Sequence, residues 1–364
     1  MRKYLALLLA AMMVLALAAG CSNDATGGDS AKVYKIGMVT DVGGVNDKSF
    51  NQTSWEGLTA LQAADSRFQV NYLESKTDAD YQGNIETFID DDYDLIICVG
   101  YMLATATKEA AEANPDQKFA IIDDSSIDLP NVACLMFAQN QASYLVGLVA
   151  GMMTESNTVG YVQGMFSEPM NQFAVGYIAG VKAANPEAEV LQYNANSFGD
   201  AAVGKTAAVD MITKGADVIY HAAGGTGSGV IEGCKENNVW AIGVDSDQSP
   251  LAPEHVITSA MKRVGTAAQD ISKQVADGKF QAGIHMYDLT NDGVGIAPTQ
   301  PCCPPMSLRL STLLWQRSRL ARSPFPTLLR SWKPSIPALS LWLSKQFFQN
   351  LRCTWQRRFF YLKR

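Results

Sequence analysis

Between residues 33 and 299 the chain passes twice through one alternation, short apolar β-type runs each followed by a longer run with helical spacing. The strand-like runs are Tyr34–Val39, Phe68–Leu73, Asp94–Val99, Lys118–Ile122, Val132–Phe137, Thr158–Gln163, Glu189–Tyr193, Ala216–Tyr220 and Val239–Val244. Helical spacing covers Ser49–Ala64, Ala79–Ile89, Leu103–Ala113, Gln141–Met153, Asn171–Ala184, Ala201–Lys214, Ser228–Asn237 and Lys262–Asp277. Strands that are apolar throughout need cover on both faces, and strand–helix alternation implies parallel strands joined by right-handed crossovers. One series opens at Tyr34 (IGMVTDVGG), the other at Thr158 (VGYVQGMF), with a switch near 138–140. The expectation is an α/β protein of two doubly wound parallel-sheet lobes, and 364 residues suffice for both. Ligands of such sheets bind beyond the carboxyl ends of the strands, so two facing sheets make an interlobe cleft that a hinge can close.

The two ends of the chain read differently. Met1-Arg-Lys is basic, Tyr4 to Ala19 is apolar and small, and the run ends at Cys21. That is a secretory layout, too short to span a bilayer comfortably. Its small residues before a cysteine resemble a bacterial lipoprotein signal, which implies acylation of Cys21 and an extracytoplasmic, membrane-anchored protein. Ala18 stands where leucine is commoner, and plain secretion is the alternative. Residues 22–32 then read as a flexible tether. From Gln300 to Arg364 the chain holds no Asp, Glu, Gly or Val, yet carries 12 of the 29 Lys+Arg and four of the six Trp. Amino acids with codons beginning in G are almost missing there, which reads as a frameshifted translation starting near Thr299. The alternative, a genuine basic membrane- or nucleic-acid-binding tail, lacks an amphipathic face and is interrupted by prolines. Without this tail the body has 17 Lys+Arg against 36 Asp+Glu, a charge that repels nucleic acid. Cys98, Cys134 and Cys234 lie in apolar runs without metal-ligand spacing and read as core residues.

Polar and aromatic residues gather where strands are expected to end. Asp123 and Asp245 suit the hydroxyls of a diol, through charge-assisted bonds contributing roughly 1.5–3 kcal/mol each. Phe50 and Phe198 could sandwich a flat ring, and Asn46 and Asp47 could read its polar edge. Lys262 could bridge an oxygen and neutralise Asp245. Each residue also has an ordinary reading: Asp47 as a helix cap, either phenylalanine as core, either aspartate as a turn residue.

The run HAAGGTGSGV, residues 221–230, looks at first like a phosphate-cradling loop. Val230 stands where a Walker lysine is required, and the same residue breaks the GxGxxG register. Among so many carboxylates a neutral ligand touching Gly225 is the better guest, and a plain glycine turn is the alternative. Only His221, His255 and His285 are present, with neither HExxH nor GxSxG, so an enzyme is not expected, and neither is a cofactor or metal.

Several longer runs carry a resemblance. TDVGGVNDKSFNQTSWEG (40–57), FAIIDDS (119–125), GVKAANP (180–186), GADVIYHAAGGTGSGV (215–230), GVDSDQ (243–248), TSAMKRV (258–264) and GVGIAPT (293–299) are similar to the basic-membrane-protein family of substrate-binding lipoproteins, which includes the purine nucleoside receptor of spirochaetes. FAQNQASYLVG (137–147) matches its lobe-switch segment. The resemblance implies a monomer of the type I periplasmic-binding-protein fold that delivers nucleosides to the permease and ATPase of an ABC importer. It implies Phe50 and Phe198 on the two faces of the base, Asn46 and Asp47 at its edge, Asp123, Asp245 and Lys262 at the ribose, and Gly225 lining the pocket. It also implies lobe 1 over 33–138 and 258–284, and lobe 2 over 139–257 and 285–299. A receptor for a sugar or other small solute, or a surface sensor without a transporter, are the competing readings. The resemblance stops at 299, where the family continues with a polar helix and a short closing segment.

Overall fold

The computed structural model describes residues 32–298. The signal segment, Cys21 and the frameshift reading of 300–364 lie outside the described residues. The order is β1 (Tyr34–Val39), α1 (Phe50–Ala64), β2 (Phe68–Leu73), α2 (Asp80–Asp90), β3 (Leu95–Val99), α3 (Ala104–Ala113), β4 (Phe119–Ile122) and β5 (Val132–Phe137). There follow α4 (Gln139–Met153), β6 (Thr158–Gln163), α5 (Glu168–Ala184), β7 (Glu189–Asn194), α6 (Ala201–Thr213), β8 (Val218–Ala222), α7 (Gly224–Glu236) and β9 (Trp240–Asp245). The described chain closes with β10 (Val256–Lys262), α8 (Val264–Ala276), β11 (Gly283–Tyr287) and β12 (Val294–Ile296).

Two six-stranded sheets result, ordered β11-β5-β4-β3-β1-β2 and β12-β10-β9-β8-β6-β7. The orders correspond strand for strand, so the lobes share one topology over five strands and differ in the direction of the sixth. All pairings are parallel except that of β12 with β10. The inner strands predicted from sequence are buried on both faces, β3, β4 and β8 having no exposed residue, whereas the edge strands β2 and β7 each carry exposed positions. One core cluster draws on both sheets, from Ile36 and Leu58 to Tyr177 and Val181, and two separate cores flank it. Cys98, Cys134 and Cys234 are buried members of those flanking cores.

The chain crosses between the lobes at three places. β5 ends at Phe137 and β10 at Lys262, and the next residues, Ala138 (φ −86°, ψ 59°) and Arg263 (φ −84°, ψ 58°), have nearly the same backbone conformation. The third crossing is 288–293. It ties the other two together: Ala138 N–H donates to the Tyr287 carbonyl (2.8 Å), Arg263 N–H to the Gly293 carbonyl (3.0 Å), and the Arg263 guanidinium pairs with Asp292 (3.2 Å).

Two boundaries differ from the sequence reading. Residues 258–262 were assigned to the first lobe, but β10 pairs with β9 and lies in the second sheet; the crossing falls at Arg263. Residues 285–287 pair with β5 in the first sheet rather than belonging to the second lobe. No glycine or proline separates β10 from α8, so the strand merges with the helical spacing that follows it, and Lys262 read as a helix start.

Candidate functional site

A cavity lies between the lobes at the carboxyl ends of the strands. From the first lobe it is lined by Asp41, Asp47, Phe50, Asn51, Gly100, Tyr101 and Asp123, and from the second by Met170, Phe173, Phe198, Ala222–Gly224, Val244, Asp245 and Lys262. Of the residues singled out in the sequence, Asp47, Phe50, Asp123, Phe198, Asp245 and Lys262 converge on this wall. Asn46 is exposed and outside the lining. Gly225 is also outside it; a Cβ there would come within 3.2 Å of the Phe198 carbonyl and 3.7 Å of Asp47 Cα. Asp41, Asn51, Tyr101, Met170 and Phe173 were missed. Asp41 and Asn51 stood inside the quoted TDVGG…SFN run, so their type and place were the available signal; Phe173 read simply as helix, and Met170 lay just before the predicted helix start at Asn171.

Lys262 is the centre of the site. Its side chain is 2% exposed and its ammonium pairs with the Asp123 carboxylate, not with Asp245 as the sequence suggested. Three rings surround the cation, with centroids 4.9 Å away for Phe50, 5.2 Å for Phe137 and 5.5 Å for Phe173. Ring faces are electron-rich and compensate part of the desolvation of a buried ammonium. The second Asp123 oxygen, Oδ1, is buried with no hydrogen-bond partner among the described residues and can accept a bond from a ligand hydroxyl.

Asp47 holds the first turn of α1. Its Oδ1 accepts from the N–H groups of Ser49 (2.9 Å) and Gln52 (3.1 Å), and its Oδ2 from Asn51 N–H (2.8 Å) and Asn51 Nδ2 (3.1 Å). These are the orphan donors of a helix start, so Asp47 caps the helix whatever else it touches. Asn51 Nδ2 also donates to Asp41 (2.7 Å), which accepts Gly43 N–H as well (2.8 Å). Burial pushes the Asp41 carboxyl up to about 6, although these bonds oppose it. Burial likewise pushes Asp245 up to about 7, against the pull of Lys262 and of the hydrogen bond from Ser49 Oγ. The cleft therefore gathers four carboxylates around one ammonium.

The glycine-rich run turns out to be helical: α7 begins at Gly224, four residues before the predicted start. Its glycines serve packing. A Cβ on Gly227 would sit inside the His221 ring, and one on Gly229 would overlap the Ala201 carbonyl. With no cationic side chain at that helix start and Asp47 close by, the run is a poor phosphate cradle.

Two α/β lobes of matching strand order, joined by three crossings around a lined cleft, have the architecture of a two-lobed solute-binding protein. The chain belongs to the Bmp family, described as ABC transporter substrate-binding protein PnrA-like, whose model matches residues 34–305. This is a family of binding proteins, not of enzymes. The chain is 40% identical over 319 residues to a "CD4+ T-cell-stimulating antigen" of Listeria innocua, covering 81% of this chain and 89% of that protein. It is 38% identical over 311 residues to the "ABC transporter nucleoside-binding protein BmpA" of Lactococcus lactis, covering 79% and 88%. A solved ABC-transporter solute-binding protein from Aeropyrum pernix shares the fold, with a TM-score of 0.70 at 24% identity over 88% of this chain and 92% of that one.

Proposed function

We propose that the cleft captures nucleosides, purine nucleosides foremost, and that the protein delivers them to the permease of an ABC importer. The observation that carries this reading is the pairing of Phe50 and Phe198. They come from opposite lobes and line one cavity beside the Asp123–Lys262 pair and Asp245. Two aromatic rings suit the faces of a base, and the carboxylate–ammonium pair suits the hydroxyls of a ribose. The Lactococcus relative named as nucleoside-binding supports the same reading. The four acidic side chains argue against a nucleotide, since a phosphate would meet the like charge of those that are ionised in a poorly solvated space.

In the same reading Cys21 carries the lipid anchor that keeps a monomeric receptor at the membrane, and no nucleic acid is bound. Among the described residues no helix is long and apolar enough to cross a membrane. The test is a calorimetric and melting-shift panel with inosine, guanosine, adenosine, cytidine, free ribose, free purine and a nucleotide. Ligand at a thousandfold its Kd should stabilise the fold by about 4 kcal/mol. A response to nucleosides but not to nucleotide supports the reading. A response to ribose alone replaces it with a sugar receptor.

A further inference from the structure

The cleft is bridged by a contact that lies outside its lining. Gln248, 2% exposed in the loop after β9, is held inside the second lobe by three bonds. Its Oε1 accepts from Val244 N–H (2.9 Å) and faces His221 Nε2 (2.9 Å), while its own N–H donates to Ser259 Oγ (3.0 Å). Because Oε1 already takes the Val244 proton, the amide has one sensible orientation, and Nε2 then points across the cleft. There it donates to the Lys48 carbonyl of the first lobe, at 2.9 Å. Lys48 sits in a left-handed turn, φ 57°, that turns this carbonyl outward between the capping residue Asp47 and Ser49. The adjacent Ser49 hydroxyl makes the second bridge, to Asp245.

We infer that Gln248, positioned by His221, is the latch of the two lobes, and that it sets how long a ligand stays without touching that ligand. None of Gln248, His221 and Lys48 lines the cavity. This gives the glycine-rich run a purpose: Gly227 leaves the space in which the His221 ring stands behind Gln248. The ring has to carry a proton on Nε2 to donate to Oε1. Burial, which lowers its basicity to about 4, keeps it neutral. The inference rests on the cleft being the binding site, not on which solute fills it.

The decisive variant is Gln248→Glu. It retains an acceptor for Val244 N–H and His221, and replaces the donor facing Lys48 with an oxygen. Gln248→Ala is the second variant. Two readouts are taken on the full chain. Hydrogen–deuterium exchange without ligand should accelerate at 46–52 and 245–249 while the sheet amides stay protected, a pattern that a general loss of stability does not produce. Stopped-flow release of the tightest nucleoside of the panel should then speed up about three- to tenfold, with an unchanged association rate, as expected for one lost hydrogen bond. The factor should be the same for every ligand that binds, because Gln248 reads none of them. Unchanged local exchange in both folded variants, Gln248→Glu and the donorless Gln248→Ala, overturns the latch. So does faster exchange with unaltered release. If no nucleoside binds at all, the exchange arm still decides the latch, and only the nucleoside reading falls.

Discussion

Asp123 and Asp245 occupy one position in two lobes. Asp123 directly follows β4 and Asp245 ends β9, each the third strand of its sheet, and both have left-handed backbones, φ 67° and 64°. Aspartate tolerates that region better than most residues, and it turns the chain sharply out of the sheet with the carboxylate at the strand end. Duplication of the fold thus places two carboxylates face to face across the cleft. Their surroundings then part them: Asp123 takes the ammonium of Lys262, while Asp245 takes the hydroxyl of Ser49.

That partition makes Asp123 the costlier residue to lose. Asp123→Ala leaves the Lys262 ammonium buried without its carboxylate and should destabilise the fold by about 3–5 kcal/mol. Adding Lys262→Met to that variant should recover a large part of the loss. Urea unfolding of the two single variants and the double variant measures both numbers.

Asp41 and Asp245 should lower stability as pH rises from about 4 to about 7, opposed in part by His221, whose folded value of about 4 lies below its ordinary 6.5. Asp41 and Asp245 hold their protons in the folded protein at pH values where the unfolded chain has released them, since burial moves them from 3.8 to about 6 and about 7. The folded state binds more protons in that window, so its advantage is full below 3.8 and is lost as pH climbs through the folded values. Melting curves of Asp245→Asn should show a flatter pH dependence than those of the unaltered protein.

Phe50→Ala and Phe198→Ala should each weaken nucleoside binding by about 1–3 kcal/mol if the two rings stack on a base. The Phe50 change also strips one ring from the Lys262 ammonium, so it should lower stability more than the Phe198 change does. Calorimetric titration beside thermal melting separates the two effects.

Gly227→Ala should destabilise the fold by about 1–3 kcal/mol, because the new methyl group would overlap the fully buried His221 ring. Displacing that ring also withdraws the support of Gln248. A lowered melting temperature, with the His221 ring resonance moved in the NMR spectrum, is the expected outcome.

The tail has its own test. If residues 300–364 are a frameshift product, resequencing around codon 300 will restore a frame with ordinary Gly, Ala, Val, Asp and Glu content. An intact mass of the native protein that includes the present tail overturns that reading.

Much of the site was legible because the residues that chemistry requires sit where strands end. Asp123 and Asp245 could be placed from the apolar runs before them, and Phe50 from the helix start beside it. Lys262 was recognised as a neighbour of Asp245, but its direct partner was not foreseen: nothing local tells a lysine which of two aspartates, 139 and 17 positions away, will take its ammonium. Phe137 and Phe173 looked like core residues and are partly that, and only their distances from the ammonium reveal the second role. The glycine-rich run misled because glycine is scarce in helices, where it costs about 1 kcal/mol against alanine. Here tight packing against His221 and between neighbouring helices outweighs that cost.

By itself the sequence determined the doubled α/β alternation, since periodicity and apolar runs are local properties that each segment carries alone. It also determined the carboxylate excess and the supply of aromatic and acidic residues at strand ends. Only the tertiary structure decided that β10 belongs to the second sheet, that Lys262 pairs with Asp123 among three rings, and that Gln248 reaches Lys48. Those contacts join segments far apart in the chain, and their partners are chosen by how two separately folded sheets meet.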